Sequence, residues 1–173
     1  MIAIFSDTHS HRGHELHGEA LGAAREAEVT IHAGDFTTVP ALEAFRSVTR
    51  ELYAVHGNAD GPDVRARLPA ELTLSVGGLT VAVTHRHDAG ETGLAAFGRA
   101  AGADVVISGH THWPSVTDAG DVLLINPGSH AQPRGARPGF ATVEPDGDGF
   151  LGRISEPDGT LVESFAIPSV TND

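Results

Sequence analysis

The sequence has no cysteine and no lysine, and only one tryptophan, one tyrosine and one methionine among 173 residues. Without cysteine there is neither a disulfide framework nor a thiolate metal site, so any metal must rest on oxygen and imidazole ligands. No apolar run approaches the about 18–20 residues that a membrane span requires. The opening stretch Met1 to Asp7 has no basic leader and turns polar at Ser6. It reads as a first strand rather than a secretory signal, and the expected compartment is the cytoplasm. All eleven basic residues are arginine, against 23 acidic ones, and the net charge of −12 opposes an extended nucleic-acid surface, which needs clustered cations. A localised site for a nucleotide or phosphate ester is still allowed. The lysine-free acidic surface fits two readings equally. One is adaptation to high salt, where counter-ions screen acidic repulsion; the other is a genome whose codon usage disfavours lysine.

What the sequence does have is histidine, eleven of them. At that density, imidazole points to metal or acid–base chemistry more than to packing. The length suits one core rather than two, so residues 1–168 are expected to form a single domain, with 169–173 frayed.

The hydrophobic pattern predicts strands over 2–6, 28–33 and 52–56, with helices over 15–27 and 40–50 between them. That β-α-β-α-β order implies parallel pairing through crossover helices. A short helix near 63–67 precedes strands 71–76 and 79–84, joined by Gly77-Gly78. A helix over 92–101 and a strand over 104–108 follow. Beyond residue 113, short strands near 114–118, 121–126, 139–144, 149–155 and 160–166 are separated by turn residues, so this third should be largely antiparallel. The fold class is α/β, with two packed sheets and helices on the outer faces.

Five polar clusters each follow a predicted strand: Asp7-Thr8-His9, Gly34-Asp35, Gly57-Asn58, Thr84-His85-Arg86-His87 and Gly109-His110-Thr111-His112. Ligands of open α/β sheets bind beyond the carboxyl ends of strands, so these clusters should converge. Asp7 and His9 are spaced i,i+2, as are His110 and His112, which in an extended segment puts both side chains on one side. The two lobes of the Asp35 carboxylate suit a bridge between cations. The glycines before Asp35, Asn58 and His110 allow sharp turns and close approach. Carboxylate, amide and imidazole together suit manganese, iron, nickel, cobalt or zinc better than calcium or magnesium.

The ordered set Asp7-x-His9, Gly34-Asp35, Gly57-Asn58, His85-x-His87, Gly109-His110-x-His112 and Asn126-Pro127-Gly128-Ser129 resembles the calcineurin-like metallophosphoesterases over roughly residues 1–145. More narrowly, it is similar to the small YfcE-type phosphodiesterases. The resemblance implies a four-layer α-β-β-α sandwich with two mixed β-sheets and a di-metal site at the sheet edge. It also implies that Asp7, His9, Asp35 and His112 hold one metal, and that Asp35, Asn58, His85 and His110 hold the other. Two divalent ions are expected, with manganese foremost. The expected reaction is hydrolysis of a small or activated phosphate ester by a hydroxide bridging the metals, with no membrane involved.

Position 59 departs from the pattern. Larger relatives carry histidine there as proton donor and small ones often cysteine, whereas this chain has Ala59. General acid help is worth about 10²–10⁴-fold, so its loss weighs on esters with poor leaving groups. His87 is the best substitute donor, two residues from His85, and His11 stands in the same relation to His9. Each also fits a plainer role, bonding a ligand or lining the cleft. His32 and His56 read as buried groups behind the ligands. Arg134 is a candidate for holding a phosphate oxygen. Asn126 to Ser129 fits a tight turn near the site, either purely structural or in contact with substrate. The alternative to an enzyme is a silent binding scaffold such as the retromer subunit of this fold; a purely metal-binding or regulatory protein is a further one. The apolar edges of the C-terminal strands are compatible with a homodimer.

Overall fold

Strand β1 (Ile2–Phe5) is buried on both faces, and its alternation decides the layering. Ile2 and Ile4 point into one hydrophobic cluster with Ile31, Val83, Ile107 and Ile154, between two sheets. Ala3 and Phe5 point the other way, into a cluster with Ala20, Ala24, Leu42 and Phe45 from two helices. A strand with both faces covered lies at the centre of stacked layers. The computed structural model describes residues 1–168 and consists of helices, two mixed sheets and a further helix, the expected four layers.

The first sheet has the order β11-β10-β9-β1-β2-β3. Its parallel part, β1, β2 (Val29–His32) and β3 (Leu52–Ala54), is joined through α1 (Gly18–Glu26) and α2 (Val39–Arg46). Its antiparallel part is β9 (Phe140–Asp146), β10 (Gly149–Ser155) and β11 (Leu161–Ile167). The short helix α3 (Pro62–Arg65) leads into the second sheet, of order β4-β5-β6-β8-β7. This sheet holds β4 (Glu71–Val76), β5 (Leu79–Thr84), β6 (Val105–Ile107), β7 (Ser115–Asp118) and β8 (Leu123–Asn126), with α4 (Gly90–Ala101) packed outside through Ala95, Val106 and Val122.

Three sequence expectations shift. Helix α1 starts at Gly18 rather than 15, because Glu15 and Gly18 both have positive φ and His17 is extended. Leu16 fits the helical period but is buried from the preceding loop. Helix α2 ends at Arg46 rather than 50; at its other end Thr38 Oγ1 accepts the N–H of Ala41 as a cap. The C-terminal third is antiparallel except for β8, which runs parallel to β6. That exception carries Asn126 to the same sheet end as Gly109. The expected fraying of 169–173 falls outside the described residues. Among the described residues, no helix is long and apolar enough to cross a membrane.

Candidate metal centre

Every one of the seven predicted ligands lies in a loop immediately following β1, β2, β3, β5 or β6. Because these strands run in parallel within each sheet, their carboxyl ends present the loops along a common edge. The loops are tied together by backbone bonds. Asp7 N–H donates to Gly34 O at 2.9 Å, His9 N–H to Asp35 O at 2.9 Å, and Gly109 N–H to His85 O at 3.0 Å.

Locally, the chain turns in a way the i,i+2 spacing did not foretell. Asp7, His9, Asp35, His110 and His112 have φ of 55°, 47°, 63°, 72° and 62°, all in the left-handed region. The pairs Asp7/His9 and His110/His112 therefore converge with both members of each pair left-handed, not through a uniformly extended segment. Such conformations cost on the order of 1 kcal/mol each and persist only where the surroundings over-determine them. Glycine enables the close approach at two points. A Cβ on Gly57 would collide with Asp35 Oδ1, and one on Gly109 with Ser6 Oγ and Asp7 Oδ2.

The donor atoms meet in two overlapping groups, Asp7-His9-His112 and Asp7-Asp35-His85, with ligand atoms within 4.8 Å of one another. Asp35 Oδ2 lies 3.5 Å from His9 Nε2 and 3.2 Å from His85 Nε2, between the two groups. Asp7 Oδ1 lies 3.2 Å from His112 Nε2 and 3.5 Å from His9 Nε2. Asn58 Oδ1 is 3.1 Å from His85 Nε2. His110 is half-buried, with its ring edge-on to that of His85 at a centroid separation of 5.4 Å.

The chemistry of this donor set fits a cation. His85 Nδ1 donates to Ala33 O at 2.7 Å, and His112 Nδ1 donates to Gln132 O. Each neutral ring is thereby left with its Nε2 lone pair turned toward the carboxylates. The His9 and His112 Nε2 atoms are 3.1 Å apart. Asp7 Oδ1 is fully buried and, among the described residues, has no hydrogen-bond partner. Lone pairs facing lone pairs in a buried cleft call for positive charge.

In the metal-free protein the same demand shows in the pKa of His85. Burial by itself favours neutral His85, but the Asp35 hydrogen bond and the Asp35 and Asp7 charges outweigh it and raise its pKa. Burial also raises that of Asp35, and His85, together with the Ala59 N–H and the charge of His9, reverses this to a net lowering. His110 is lowered by burial and by the charges of His85 and Arg86.

The remaining candidates divide. His87 is exposed and lines a cleft with His110; its Nδ1 accepts the N–H of Ala89 at 3.2 Å. His11 is exposed, and among the described residues only its carbonyl is engaged, accepting from Thr38 Oγ1. Arg134 is exposed in the turn after Pro133, and among the described residues its guanidinium makes no hydrogen bond or ion pair. The structure thus joins neither His11 nor Arg134 to the ligand cluster. His32 is buried as expected: Gly34 N–H donates to its Nδ1, so its Nε2–H donates to Thr8 Oγ1 at 2.8 Å. His56 is only half-buried and lines a cleft beside Asn58.

Four supporting residues escaped the sequence reading. Asp60, buried, accepts three backbone N–H groups, from Asp35, Thr37 and Gly57. Arg65 donates to the carbonyls of Asp60 and Asn58. Ser129 Oγ donates to Asp7 O at 2.7 Å, and Gln132 supplies the carbonyl under His112. Ser129 stood inside a quoted motif and Asp60 directly follows Asn58-Ala59, so both could have been found there. Gln132 acts through its backbone and leaves no side-chain signal.

The model of the calcineurin-like phosphoesterase superfamily domain matches residues 1–148. The chain belongs to that superfamily. A probable metallophosphoesterase of Methanothermobacter thermautotrophicus is 35% identical over 153 residues, 86% of this chain and 87% of the relative. A phosphodiesterase of Methanocaldococcus jannaschii is 28% identical, over 73% of this chain and 82% of its own. In three dimensions the zinc complex of Vps29 from Entamoeba histolytica aligns with a TM-score of 0.77 at 20% identity, covering 96% of this chain and 98% of that one. That last likeness is one of fold. As a calcineurin-like phosphoesterase, the chain has a strand-end cluster of the kind that implies divalent metals.

Proposed function

We propose that the protein is a phosphodiesterase of small or activated phosphate esters, in which Asp7, His9, Asp35, Asn58, His85, His110 and His112 hold two divalent cations. Manganese is the first candidate, with nickel, cobalt, iron and zinc behind it. The observation that carries this reading is Asp35 Oδ2, placed between the His9 and His85 Nε2 atoms beside a buried, unpaired Asp7 oxygen. When bound, a pair of such cations lowers the pKa of water and neutralises phosphoryl oxygens.

The chain's own residues orient and protonate. Ala59 carries no side-chain proton; its backbone N–H is spent on Asp35 Oδ1 at 2.7 Å. His87 is the remaining donor for the leaving oxygen. It lies in the wall of the cleft that His110 also lines; to act as the acid its ring must be the imidazolium, which gives up the bond Nδ1 accepts from Ala89 and leaves a neutral imidazole after the transfer. The site of action is the cytoplasm, and the substrate is a small ester rather than a nucleic-acid duplex, given the charge of −12.

A second reading, a silent scaffold, draws on Ala59 and on the Vps29 likeness. Metal-free protein reloaded singly with manganese, nickel, cobalt or zinc and assayed on aryl phosphodiesters and monoesters separates the two. Turnover restored by metal supports the enzyme. Stoichiometric metal binding without turnover on any ester would leave the scaffold.

A further inference from the structure

Two clefts open beside the ligand cluster and share Arg86 as a common wall. They differ in character. One, of about 340 Å³, lies along Asn58 and His85 and is bordered by the polar side chains of His56, Arg65 and Glu71. The other, of about 240 Å³, lies under the start of α4, where Gly109 and His110 meet Leu94 of the helix and Leu124 of β8. A phosphate monoester has one organic arm and would use one cleft. A diester has two.

Resting on the phosphodiesterase reading above, we propose that the α4 cleft is the subsite for an apolar ring on one arm of the diester, an aryl or nucleobase-sized group. The polar Asn58–Arg65 cleft takes the other arm. Size supports the assignment, since an apolar cavity of about 150 Å³ already accepts a benzene ring. Chemistry supports it too. Leu94 and Leu124 offer apolar contact, while Arg86, Glu91 and Thr117 lie at the same cleft. Thr117 Oγ1 already donates to Glu91 at 3.0 Å, so its proton is committed, and the Glu91 carboxylate is exposed to solvent at the cleft rim. The two leucines favour a flat hydrophobic body, while Ser108, Thr111, Ser115 and Asn126 in the same lining offer partners to a ring that carries polar atoms at its edge. The cleft is continuous with the cluster through Gly109 and His110, which places the ring next to the phosphorus rather than at a remote surface.

The test uses two non-hydrolysable probes, phenylphosphonate and methylphosphonate, on zinc-loaded protein with methyl-labelled leucines. Phenylphosphonate should bind ~10-fold or more tightly than methylphosphonate, the difference expected for burying a ring. It should also move the Leu94 and Leu124 methyl resonances, which methylphosphonate leaves in place. Leu94→Trp, which fills the cleft, should reduce the preference to within about twofold. Equal affinity of the wild type for both probes, or a preference with the Leu94 and Leu124 methyls unmoved, overturns the assignment. The wild-type spectra decide the matter even if the variant misfolds. Failure of the enzyme reading looks different: selective binding of phenylphosphonate with no turnover under any metal.

Discussion

Asp60 Oδ2 accepts the backbone N–H of Asp35 at 3.0 Å, so one buried carboxylate holds the backbone of another. The same side chain takes Gly57 N–H at 2.7 Å and Thr37 N–H at 2.6 Å. It thereby locks the loop after β2 to the loop after β3, and both carry proposed ligands. Removing it strands three donors in a largely buried place. Asp60→Ala should cost about 2–4 kcal/mol of stability and lower metal affinity by about 10–100-fold. Asp60→Asn, which keeps one acceptor, should lose less. Urea unfolding of the metal-free proteins, with metal titration alongside, checks both; wild-type stability in Asp60→Ala would refute the locking role.

Asp7 should show the opposite sign. Its Oδ2 is satisfied by Ser6 Oγ at 2.6 Å and His110 N–H at 2.9 Å, while Oδ1 is buried without a donor. In Asp7→Asn the amide oxygen keeps the first pair of bonds and the amide nitrogen can donate to His112 Nε2. The metal-free variant should therefore be as stable as the wild type or more so, by about 1 kcal/mol, while metal binding and turnover collapse. A metal-free Asp7→Asn protein that unfolds well before the wild type would contradict this account.

His130 makes a pH prediction away from the metals. It is buried against Phe5 and Phe45, with Nε2 donating to His14 O at 3.0 Å. Burial pushes its pKa down to about 4. Between the unfolded value near 6.5 and about 4, the unfolded chain binds more protons, so stability falls as pH falls through that window. The loss from this residue is on the order of 3 kcal/mol. His32, lowered well below its ordinary value by burial, adds in the same direction. Denaturant midpoints of chelated protein from pH 7 to 4 should drop, and His130→Leu should flatten the drop. An unchanged slope in the variant would remove His130 from the explanation.

Much of this was legible in the sequence, and the parts that were not share a cause. Continuous apolar strands such as Ile2 to Phe5 announce themselves, and polar residues directly after them are drawn to one edge by topology alone. That is why seven candidate ligands scattered from Asp7 to His112 could be named together. What stayed hidden depends on tertiary bonds. The left-handed φ of Asp7 and His9 is held by Gly34 O and Asp35 O, partners far away in sequence. The late start of α1 follows from Glu15 and Gly18, whose conformations no helical period reveals. The loop after the motif Asn126 to Ser129 also delivers the Gln132 carbonyl to His112, a backbone contact that no side chain announces.

Ala59 is the position where chemistry can be added back. It follows Asn58 and precedes Asp60, its N–H bonds Asp35 Oδ1, and it is half-buried at the cluster's edge. Larger members of the superfamily are expected to carry a proton-donating histidine here. Ala59→His should therefore raise kcat/KM for alkyl phosphodiesters, whose leaving oxygen needs a proton, by about 10–100-fold, and leave aryl esters within a few-fold. The backbone N–H is kept in the substitution, so the ligand geometry at Asp35 should survive and metal stoichiometry should match the wild type. Combining it with His87→Ala then discriminates the donors. If His87 is the native acid, its removal slows alkyl esters strongly in the Ala59 background and little in the Ala59→His background. Equal slowing in both backgrounds would show that His87 does not protonate the leaving group.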